Sequence, residues 1–297
     1  MIQLPVTEEQ KDAMERTAGV ASMMALAGDQ LDAAQIERVF SPEKRGDLIV
    51  RLADTIVRFA RGDKFADEEV GAEEYVYPKK FGKAPKSVME QVGILRLFFP
   101  DLTLYPGYSN KLRCPQTADG LYVIPDWRRV ADMYAEACVI AIAHLRKMLG
   151  LKFREAPVLF DFSDAYQRRN VRTEEMLEEA RLMQHTCDLF ILPAQFGIAH
   201  AGRSPRRVTE ALARTEFHLG VFEVACMLLT HPEQFGCKNP HWIGCAGDER
   251  TMYNPEDPAR EILAFAFLDG KIGPGIAYVG RFNEDFGCAT GFLPQLM

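Results

Sequence analysis

The stretch EILAFAFLDGKIGPGIAYVGRF, Glu261–Phe282, decides the fold class that we expect for this chain. It holds two apolar runs on either side of Asp269-Gly270, a dipeptide that favours the tight turn of a β-hairpin. Both faces of the first run, Ile262–Leu268, are apolar, which predicts a strand covered on both sides. The preceding segment HWIGC could add a third strand. A small antiparallel sheet is therefore predicted near the C-terminus.

Most of the remaining chain has the apolar spacing and the capping residues of helices. Asp126 is expected to cap a long helix that ends at Leu149, and Thr215-Glu216 to begin an apolar helix. The run DLFILPAQF fits either a buried strand or an extended segment, because periodicity does not separate the two. These patterns predict an α+β protein that is mostly helical, with a small antiparallel C-terminal sheet.

Three parts are expected along the chain. Residues 1–62 form a helical N-terminal segment, residues 63–85 a charged linker or irregular segment, and residues 86–297 the α+β main domain.

Composition excludes several classes of protein. The 297 residues carry a net charge of −7, which argues against a surface that binds nucleic acid or anionic lipid throughout, although a local basic patch remains compatible. The N-terminus lacks the features of a signal peptide, and no apolar run is long enough to cross a bilayer. Seven cysteines, an odd number, suggest reduced thiols. We therefore expect a soluble cytoplasmic protein with no membrane partner.

Familiar catalytic and nucleotide-binding motifs do not occur in the chain. Neither of the glycine-rich phosphate-binding motifs, G-x-x-x-x-G-K-[ST] and G-x-G-x-x-G, is present, nor are G-x-S-x-G and H-E-x-x-H. The function must therefore be argued from less familiar groups of residues.

The segment GIAHAGRSPRRV, Gly197–Val208, breaks a rule that other helix starts in this chain follow. Ser204 is the expected N-cap and Pro205 the first helical residue, which puts Arg206 and Arg207 in the first turn. That turn already carries the positive end of the helix dipole, so that an exposed cation there costs about 0.3–1 kcal/mol. This unfavourable placement raises the question of whether an anion lies beside these arginines.

An anion-binding site is our leading hypothesis for this segment. Residues 201–214 contain four arginines and one glutamate, and guanidinium groups suit the recognition of carboxylates and phosphates. The ligand would be a phosphorylated small molecule or a nucleic-acid backbone. The expected binding residues are His200, Arg203, Ser204, Arg206 and Arg207. Pairing of these arginines with the chain's own carboxylates is the competing interpretation.

The segment HPEQFGCKNPHWIGCAGDE suggests a second site, because it concentrates thiols, imidazoles and carboxylates within nineteen residues. A tetrahedral zinc site could form from Cys237, His241, Cys245 and Cys288. The spacing C-x3-H-x3-C is not that of a standard zinc knuckle, so packing of buried cysteines is the competing interpretation.

The same segment allows an enzyme without zinc. Cys245 or Cys237 could act as a nucleophile with His241 or His231 as its base, oriented by Asp248. A carboxylate centre with magnesium is a further alternative, and its members would be Asp248, Glu249, Glu284 and Asp285. A third class of function is a structural or assembly protein without a site, in which the apolar helix and the hairpin form an oligomer interface.

Overall fold

The structure is a computed structural model, and it describes residue 65 and residues 67–70, 85–104, 112–155, 168–185, 187–235, 241–249 and 261–296. The chain consists of two compact units, Met1–Arg61 and Gly62–Met297, and all described residues belong to the second. The helices expected within residues 1–62 lie outside the described residues. No helix in the described part of the chain is long and apolar enough to cross a lipid bilayer.

Helices and strands alternate along the described residues. The α-helices are α1 (Val88–Leu95), α2 (Tyr134–Leu149), α3 (Val171–Leu182), α4 (Pro205–Ala211) and α5 (Val221–Thr230). The strands are β1 (Leu112–Arg113), β2 (Gly120–Pro125), β3 (Arg168–Arg169), β4 (Leu189–Gln195), β5 (Glu216–His218), β6 (His241–Gly244), β7 (Asp248–Glu249), β8 (Glu261–Leu268), β9 (Lys271–Tyr278), β10 (Phe286–Cys288), β11 (Thr290–Phe292) and β12 (Gln295–Leu296).

A four-stranded antiparallel sheet with the order β2-β4-β11-β5 lies at the centre of the described unit. Tyr122 of β2 pairs with Leu192 of β4, and Gly291 of β11 pairs with Phe217 of β5. All seven residues of β4 are buried. A strand that is buried on both faces shows no alternation of apolar and polar residues, which explains why periodicity alone did not assign DLFILPAQF.

Helices α1 and α5 pack against β2, α3 packs against β4 and β5, and α2 packs against α5, which is the most interior of these helices. Helix α5 contacts α2, α1 and strand β2, and all ten of its residues are buried. Its sequence VFEVACMLLT is apolar on nearly every side, as expected for a helix surrounded by protein. The first turn of α5 contains a buried carboxylate, Glu223.

A second four-stranded sheet has the order β10-β6-β8-β9. Strands β8 and β9 form the hairpin predicted around Asp269-Gly270, with Ile262 opposite Ala277, and β6 adds the third strand. Alternate residues of β8 face two different layers: Leu263 belongs to the main core and Ile262 to a smaller cluster with Val208 of α4. The predictions of a hairpin, a third strand and a strand covered on both sides are confirmed.

The predicted fold class, a mostly helical protein with a small antiparallel C-terminal sheet, is wrong in its proportions and placement. The structure is α+β, but strands run through the described unit from β1 onward, and the central sheet uses β2 and β4 from the middle of the chain. The C-terminal sheet is not purely antiparallel, because β10 pairs with β6 in parallel. Short strands buried on both sides lack the period-two pattern, so they were missed or assigned to helices.

Two predicted helix starts also differ from the structure. Asp126 caps only a single 3-10 turn, Trp127–Arg129, and α2 begins later, at Tyr134. Glu216 does not begin a helix but lies in β5, and α5 follows only at Val221. In both places a residue with a favourable capping side chain is used for another purpose, since sheet pairing and burial outweigh a local preference of about 1 kcal/mol.

Candidate functional site

Residues 202–207, which we call the arginine-rich turn, have the local structure that their sequence predicts. Ser204 is the N-cap of α4, its side chain accepts a hydrogen bond from the Arg207 amide at 3.1 Å, and Pro205 is the first helical residue. Helix α4 has only seven residues and ends at Ala211. The first turn therefore holds Arg206 and Arg207, as anticipated.

The anions beside this turn are the chain's own carboxylates. Glu68 accepts hydrogen bonds from the Ser204 hydroxyl at 2.5 Å and from the Arg206 guanidinium. Glu69 accepts from Arg203 at 2.8 Å and from Arg207 at 2.9 Å. Two glutamates thus pair with three arginines, and Glu210, 3.5 Å from Arg207, adds a third carboxylate. Sequence reasoning could not pair them, because more than 130 residues separate the partners.

We call Phe65 and residues 67–70, which supply these glutamates, the acidic strap. The strap runs antiparallel to the arginine-rich turn, with a bridge between Glu69 and Arg203. Its two flanking backbone hydrogen bonds join the Val70 amide to the Gly202 carbonyl and the Ser204 amide to the Glu68 carbonyl, both at 3.0 Å. Gly202 has a φ of +82°, and a Cβ there would press against the Val70 carbonyl. Glycine at this position therefore permits both the turn and the close approach of the strap.

His200, the remaining predicted anion ligand, lies in a buried hydrogen-bond network. Its Nε2 is 2.7 Å from Glu216 Oε1, which also accepts from the Thr290 hydroxyl at 2.6 Å. The Gln195 amide donates in turn to Thr290 Oγ1 at 2.8 Å. Burial opposes the charge of Glu216, but hydrogen bonds from His200 and Thr290 outweigh it and lower the pKa of that carboxyl. This network connects strands β4, β5 and β11, which gives His200 a structural position in the central sheet.

A cavity of about 510 Å³ opens beside the arginine-rich turn. Its walls come from Phe65, from the start of α3, from α4, from the end of β5, from β7 and β8, and from Val279, which follows β9. The apolar part of the lining includes Val171, Leu212, Ile262 and Val279. Pockets for small molecules typically have this combination of volume and mixed lining.

The acidic side chains around the cavity all have partners within the protein. Glu210 accepts from the Phe65 amide at 3.1 Å and lies 3.5 Å from Arg207, and Glu249 lies 3.3 Å from Arg168. These pairs compensate the two carboxylates, so neither leaves an unbalanced negative charge at the cavity wall.

Arg172 differs from every other arginine at this cavity. It is the second residue of α3, and its Nη2 donates to the backbone carbonyls of Glu216 at 2.8 Å and Ala213 at 3.1 Å. No carboxylate in the described part of the chain lies within 4 Å of its guanidinium, whereas Arg206 is paired with Glu68. Carbonyl dipoles orient the guanidinium without cancelling its charge. Among the described residues, Arg172 is therefore the cation of the cavity wall that has no carboxylate partner.

Asp248, another lining residue, belongs to a buried charged network. Its Oδ1 accepts from the Tyr134 hydroxyl at 2.7 Å, and its Oδ2 accepts from the Val221 amide at 2.8 Å, which caps α5 where Gly220 has no side chain. A Cβ at Gly220 would collide with the Asp248 carboxylate and the Tyr134 hydroxyl. Burial, helped by the nearby Glu223 carboxylate, raises the pKa of Asp248 to about 7. A carboxyl group that titrates near neutrality in a cavity wall is a candidate for proton transfer.

Arg169 supplies the positive charge of this network. It is paired with Glu223 and, at 2.9 Å, with Glu174, and its guanidinium lies 4.6 Å from the centre of the Tyr134 ring. Burial opposes its charge, but the Glu223 carboxylate and its neighbours outweigh burial and raise the pKa of Arg169. This network thus places one arginine beside two buried carboxyls, Glu223 and Asp248, which explains physically why Asp248 retains a proton so readily.

His218 also lines the cavity, and its surroundings fix its protonation. The Thr209 hydroxyl donates to the Pro205 carbonyl at 2.8 Å, so its oxygen accepts from His218 Nε2 at 2.9 Å. This assigns the imidazole proton to Nε2 and leaves Nδ1, which is buried and has no hydrogen-bond partner among the described residues, as an acceptor. Burial, with a contribution from the His200 charge, lowers the pKa of His218 to about 3. The ring is therefore neutral at neutral pH.

The four expected zinc ligands are only partly described. Cys237 and the side chain of His241 lie outside the described residues. Cys245 and Cys288 are both buried near Gly244, because β10 pairs with β6 in this region. Among the described residues, no group of three or more His, Cys, Asp or Glu side chains could hold a metal ion. The zinc site with Cys237 and His241 stays a prediction.

The four carboxylates of the proposed magnesium centre are not brought together among the described residues. Glu284 and Asp285 precede β10, and Asp285 lies 3.5 Å from Arg281, whereas Asp248 and Glu249 form β7, so the magnesium set does not assemble among the described residues. Burial holds the pKa of the Cys245 thiol well above its usual value, which opposes its use as a free nucleophile.

His231, the alternative base, is occupied in the core. Its Nε2 accepts from the Lys86 amide at 3.0 Å, and its ring lies 4.9 Å from the Tyr122 ring. Burial lowers its pKa to about 4.

The sequence places Arg172 in a basic group with Arg168 and Arg169 without assigning it to the anion site, and it gives no sign of His218 as a cavity residue. Arg172 gave a weak signal, since it is a cation in the first turn of a helix, as Arg206 and Arg207 are. His218 gave none, because it was expected within a helix and lies at the end of β5.

Comparisons with protein-family models, with curated proteins and with solved structures give no match to this chain. The function is therefore inferred from the geometry of the cavity and from the charges in its wall.

Proposed function

We propose that this protein binds an anionic small molecule in the cavity between α3 and α4, with Arg172 as the principal cation. One observation supports this most directly: Arg172 lines the cavity, and no carboxylate among the described residues balances its charge. An arginine held by backbone carbonyls retains N–H groups for a ligand carboxylate or phosphate. Arg206 lines the same cavity and would add to the recognition if its partner Glu68 moved.

The remaining lining favours a ligand that also has an apolar part. Val171, Leu212, Ile262 and Val279 contribute hydrocarbon surface, and Thr209 contributes a hydroxyl group. A volume of about 510 Å³ suits a molecule of metabolite size better than a polymer. A cytoplasmic location, a nucleic-acid ligand and an oligomeric state stay predictions from the sequence.

The test compares two arginine substitutions with the same change in charge. Arg172→Met removes the uncompensated cation, and Arg146→Met removes an exposed arginine that pairs with Glu155 and does not line the cavity. Binding of inorganic phosphate and of citrate is measured by calorimetry and by the thermal shift at about 10 mM ligand. We expect Arg172→Met to weaken binding at least about tenfold, since a charged hydrogen bond contributes 1.5–3 kcal/mol, and Arg146→Met to leave it unchanged.

Equal binding by Arg172→Met and the wild-type protein would place the site elsewhere and reject the proposal. Absence of binding of either anion to the wild-type protein would reject it as well. Native mass spectrometry measures the mass of any ligand that copurifies with the wild-type protein. A ligand that is retained by Arg146→Met but lost from Arg172→Met would be one that Arg172 binds.

A second candidate function, acid–base catalysis on the bound anion, is favoured by one observation. Asp248 and His218 line the same cavity with pKa values of about 7 and about 3. Pairs of groups whose surroundings move their pKa values apart are common at acid–base centres. Incubation of the copurified ligand with the protein tests this by mass spectrometry. Turnover that is lost in Asp248→Asn, with binding retained, supports catalysis, and recovery of an unchanged ligand rejects it.

A further inference from the structure

We propose that the acidic strap is a charge-held cover of the arginine side of the cavity, displaced by ligands that carry several negative charges. The inference rests on the proposed function, because it names the ligand class and the control of access for the same cavity. Three features support it: the contacts that attach the strap, the position of Phe65, and the arginines beneath the strap.

The strap is held by charge and not by burial. None of its described residues is buried, whereas the surface beneath it includes fully buried Ser204 and Val208. Two backbone hydrogen bonds and the ion pairs of Glu68 and Glu69 attach the strap to the arginine-rich turn. The Arg203–Glu69 pair keeps 30% and 27% of its side chains exposed and is screened by salt, whereas the Arg206–Glu68 pair keeps only 16% and 13% exposed. Opening of the strap would expose part of the apolar surface of Phe65 and Val70, but no described residue of the strap belongs to the core.

The strap also forms part of the cavity wall. Phe65 lines the cavity, its ring centre lies 4.4 Å from the Arg206 guanidinium, and its amide donates to Glu210. Removal of the strap would therefore widen the cavity and release Glu210 from one of its contacts. Access to the arginine side of the cavity depends on where Phe65 lies.

Opening of the strap changes the charge that a ligand meets. With the strap in place, Arg172 is the cation of the wall that has no carboxylate partner among the described residues, because Glu68, Glu69 and Glu210 pair with the arginines of the turn. With the strap displaced, Arg206 in the wall and Arg203 and Arg207 beside it lose Glu68 and Glu69 as partners. A ligand with one negative charge gains little from this, whereas a ligand with several can replace both glutamates. The geometry thus favours molecules such as polyphosphate esters or polycarboxylates.

The experiment compares two variants that remove two negative charges each. Glu68→Gln/Glu69→Gln removes the ion pairs of the strap, and Asp67→Asn/Glu175→Gln removes exposed charges that make no ion pair among the described residues. The first measurement needs no ligand: hydrogen exchange of the Val70 and Ser204 amides in low and high salt. We expect exchange to accelerate about tenfold with salt in the wild-type protein and to be fast at both salt concentrations in Glu68→Gln/Glu69→Gln. The control pair should behave as the wild-type protein does.

The second measurement uses inorganic phosphate and tripolyphosphate as probes. Glu68→Gln/Glu69→Gln should bind tripolyphosphate about tenfold more tightly than the control pair does, with phosphate affinity changed less than about twofold. Protected Val70 and Ser204 amides in Glu68→Gln/Glu69→Gln would overturn the charge-held cover. Equal tripolyphosphate affinities of the two variants would overturn the competition between strap and ligand. Failure of the wild-type protein to bind either probe would instead overturn the proposed function, whatever the exchange data show.

Discussion

The acidic strap and the network formed by Arg169, Glu174, Glu223, Asp248 and Tyr134, which we call the Arg169 network, both pair arginine with glutamate, but in opposite surroundings. Each joins arginine to glutamate over a long separation in sequence, but Arg169 and Glu223 keep 7% and 0% of their side chains exposed, whereas Arg203 and Glu69 keep 30% and 27%. In the interior, an arginine that loses its partner leaves a charge without solvent. At the surface, water and salt replace much of the lost interaction.

This difference teaches that the number of ion pairs does not measure their importance. The strap makes more arginine–glutamate contacts than Arg169 does, yet its removal should cost less, because its groups remain hydrated when apart. The Arg169 network is expected to determine stability, and the strap to determine access to the cavity. The stability of four variants tests this contrast, and the variant with the largest expected effect comes first.

Arg169→Met should have the largest effect. It leaves the Glu223 carboxylate buried without a cation, and we expect a loss of about 3–5 kcal/mol in the free energy of unfolding. Denaturant titration measures this loss, and Arg129→Met provides the control, since Arg129 pairs with Asp188 with 60% of its side chain exposed. The control should lose no more than about 1 kcal/mol. Equal losses in the two variants would remove the contrast between buried and exposed pairs.

Asp248→Asn should alter the pH dependence of stability. The folded protein keeps the Asp248 proton up to a pKa of about 7, and the unfolded chain releases it near 3.8, so this group stabilises the fold below pH 3.8 and loses that contribution as the pH rises to 7. The stability of the variant relative to the wild-type protein should therefore increase by about 1.4 kcal/mol per pH unit between pH 4 and 7. A difference that is constant with pH would contradict the raised pKa.

His218→Gln should show a pH dependence of the opposite sign. The folded protein keeps His218 neutral down to a pKa of about 3, whereas the unfolded chain binds a proton below 6.5, so the wild-type protein loses stability as the pH falls through this interval. The stability of the variant relative to the wild-type protein should increase toward acid, again by about 1.4 kcal/mol per pH unit. Thermal unfolding at a series of pH values measures it. A relative stability that decreases toward acid would show that His218 is protonated in the fold.

Glu68→Gln/Glu69→Gln should have the smallest effect on stability, a loss below about 1 kcal/mol at low salt that disappears at high salt. Denaturant titration at two salt concentrations provides the measurement, with Asp67→Asn/Glu175→Gln as the matched control. A loss of several kcal/mol that persists in high salt would show that the strap is part of the core, and the comparison with Arg169 would then fail.

Local features of the fold were predictable where the sequence carries a periodic or turn signal. The hairpin of β8 and β9 follows from Asp269-Gly270 between apolar runs, and the start of α4 follows from Ser204-Pro205. The central sheet was not predictable in the same way, because β4 is buried on both faces and β5 has only three residues. Neither strand alternates apolar and polar residues over a length that distinguishes it from a helix.

The candidate site divides along the same line. The sequence identified the arginine-rich turn as electrostatically unusual, and the structure shows carboxylates beside it. It did not identify the cavity, whose lining combines residues from Phe65 to Val279. Nor could it separate Arg172, which no carboxylate among the described residues balances, from Arg169, which lies three residues earlier and is buried against Glu223.

The sequence by itself determined which turn needs an anion and where the C-terminal hairpin folds. These properties depend on neighbours in the sequence, within a helical turn or a tight turn. Only the tertiary structure decided that Glu68 and Glu69 supply the anion, that Asp248 titrates near neutrality, and that Arg172 faces a cavity without a carboxylate partner in the described part of the chain. Charge pairing and desolvation depend on distances of a few ångströms between residues far apart along the chain, and folding alone sets those distances.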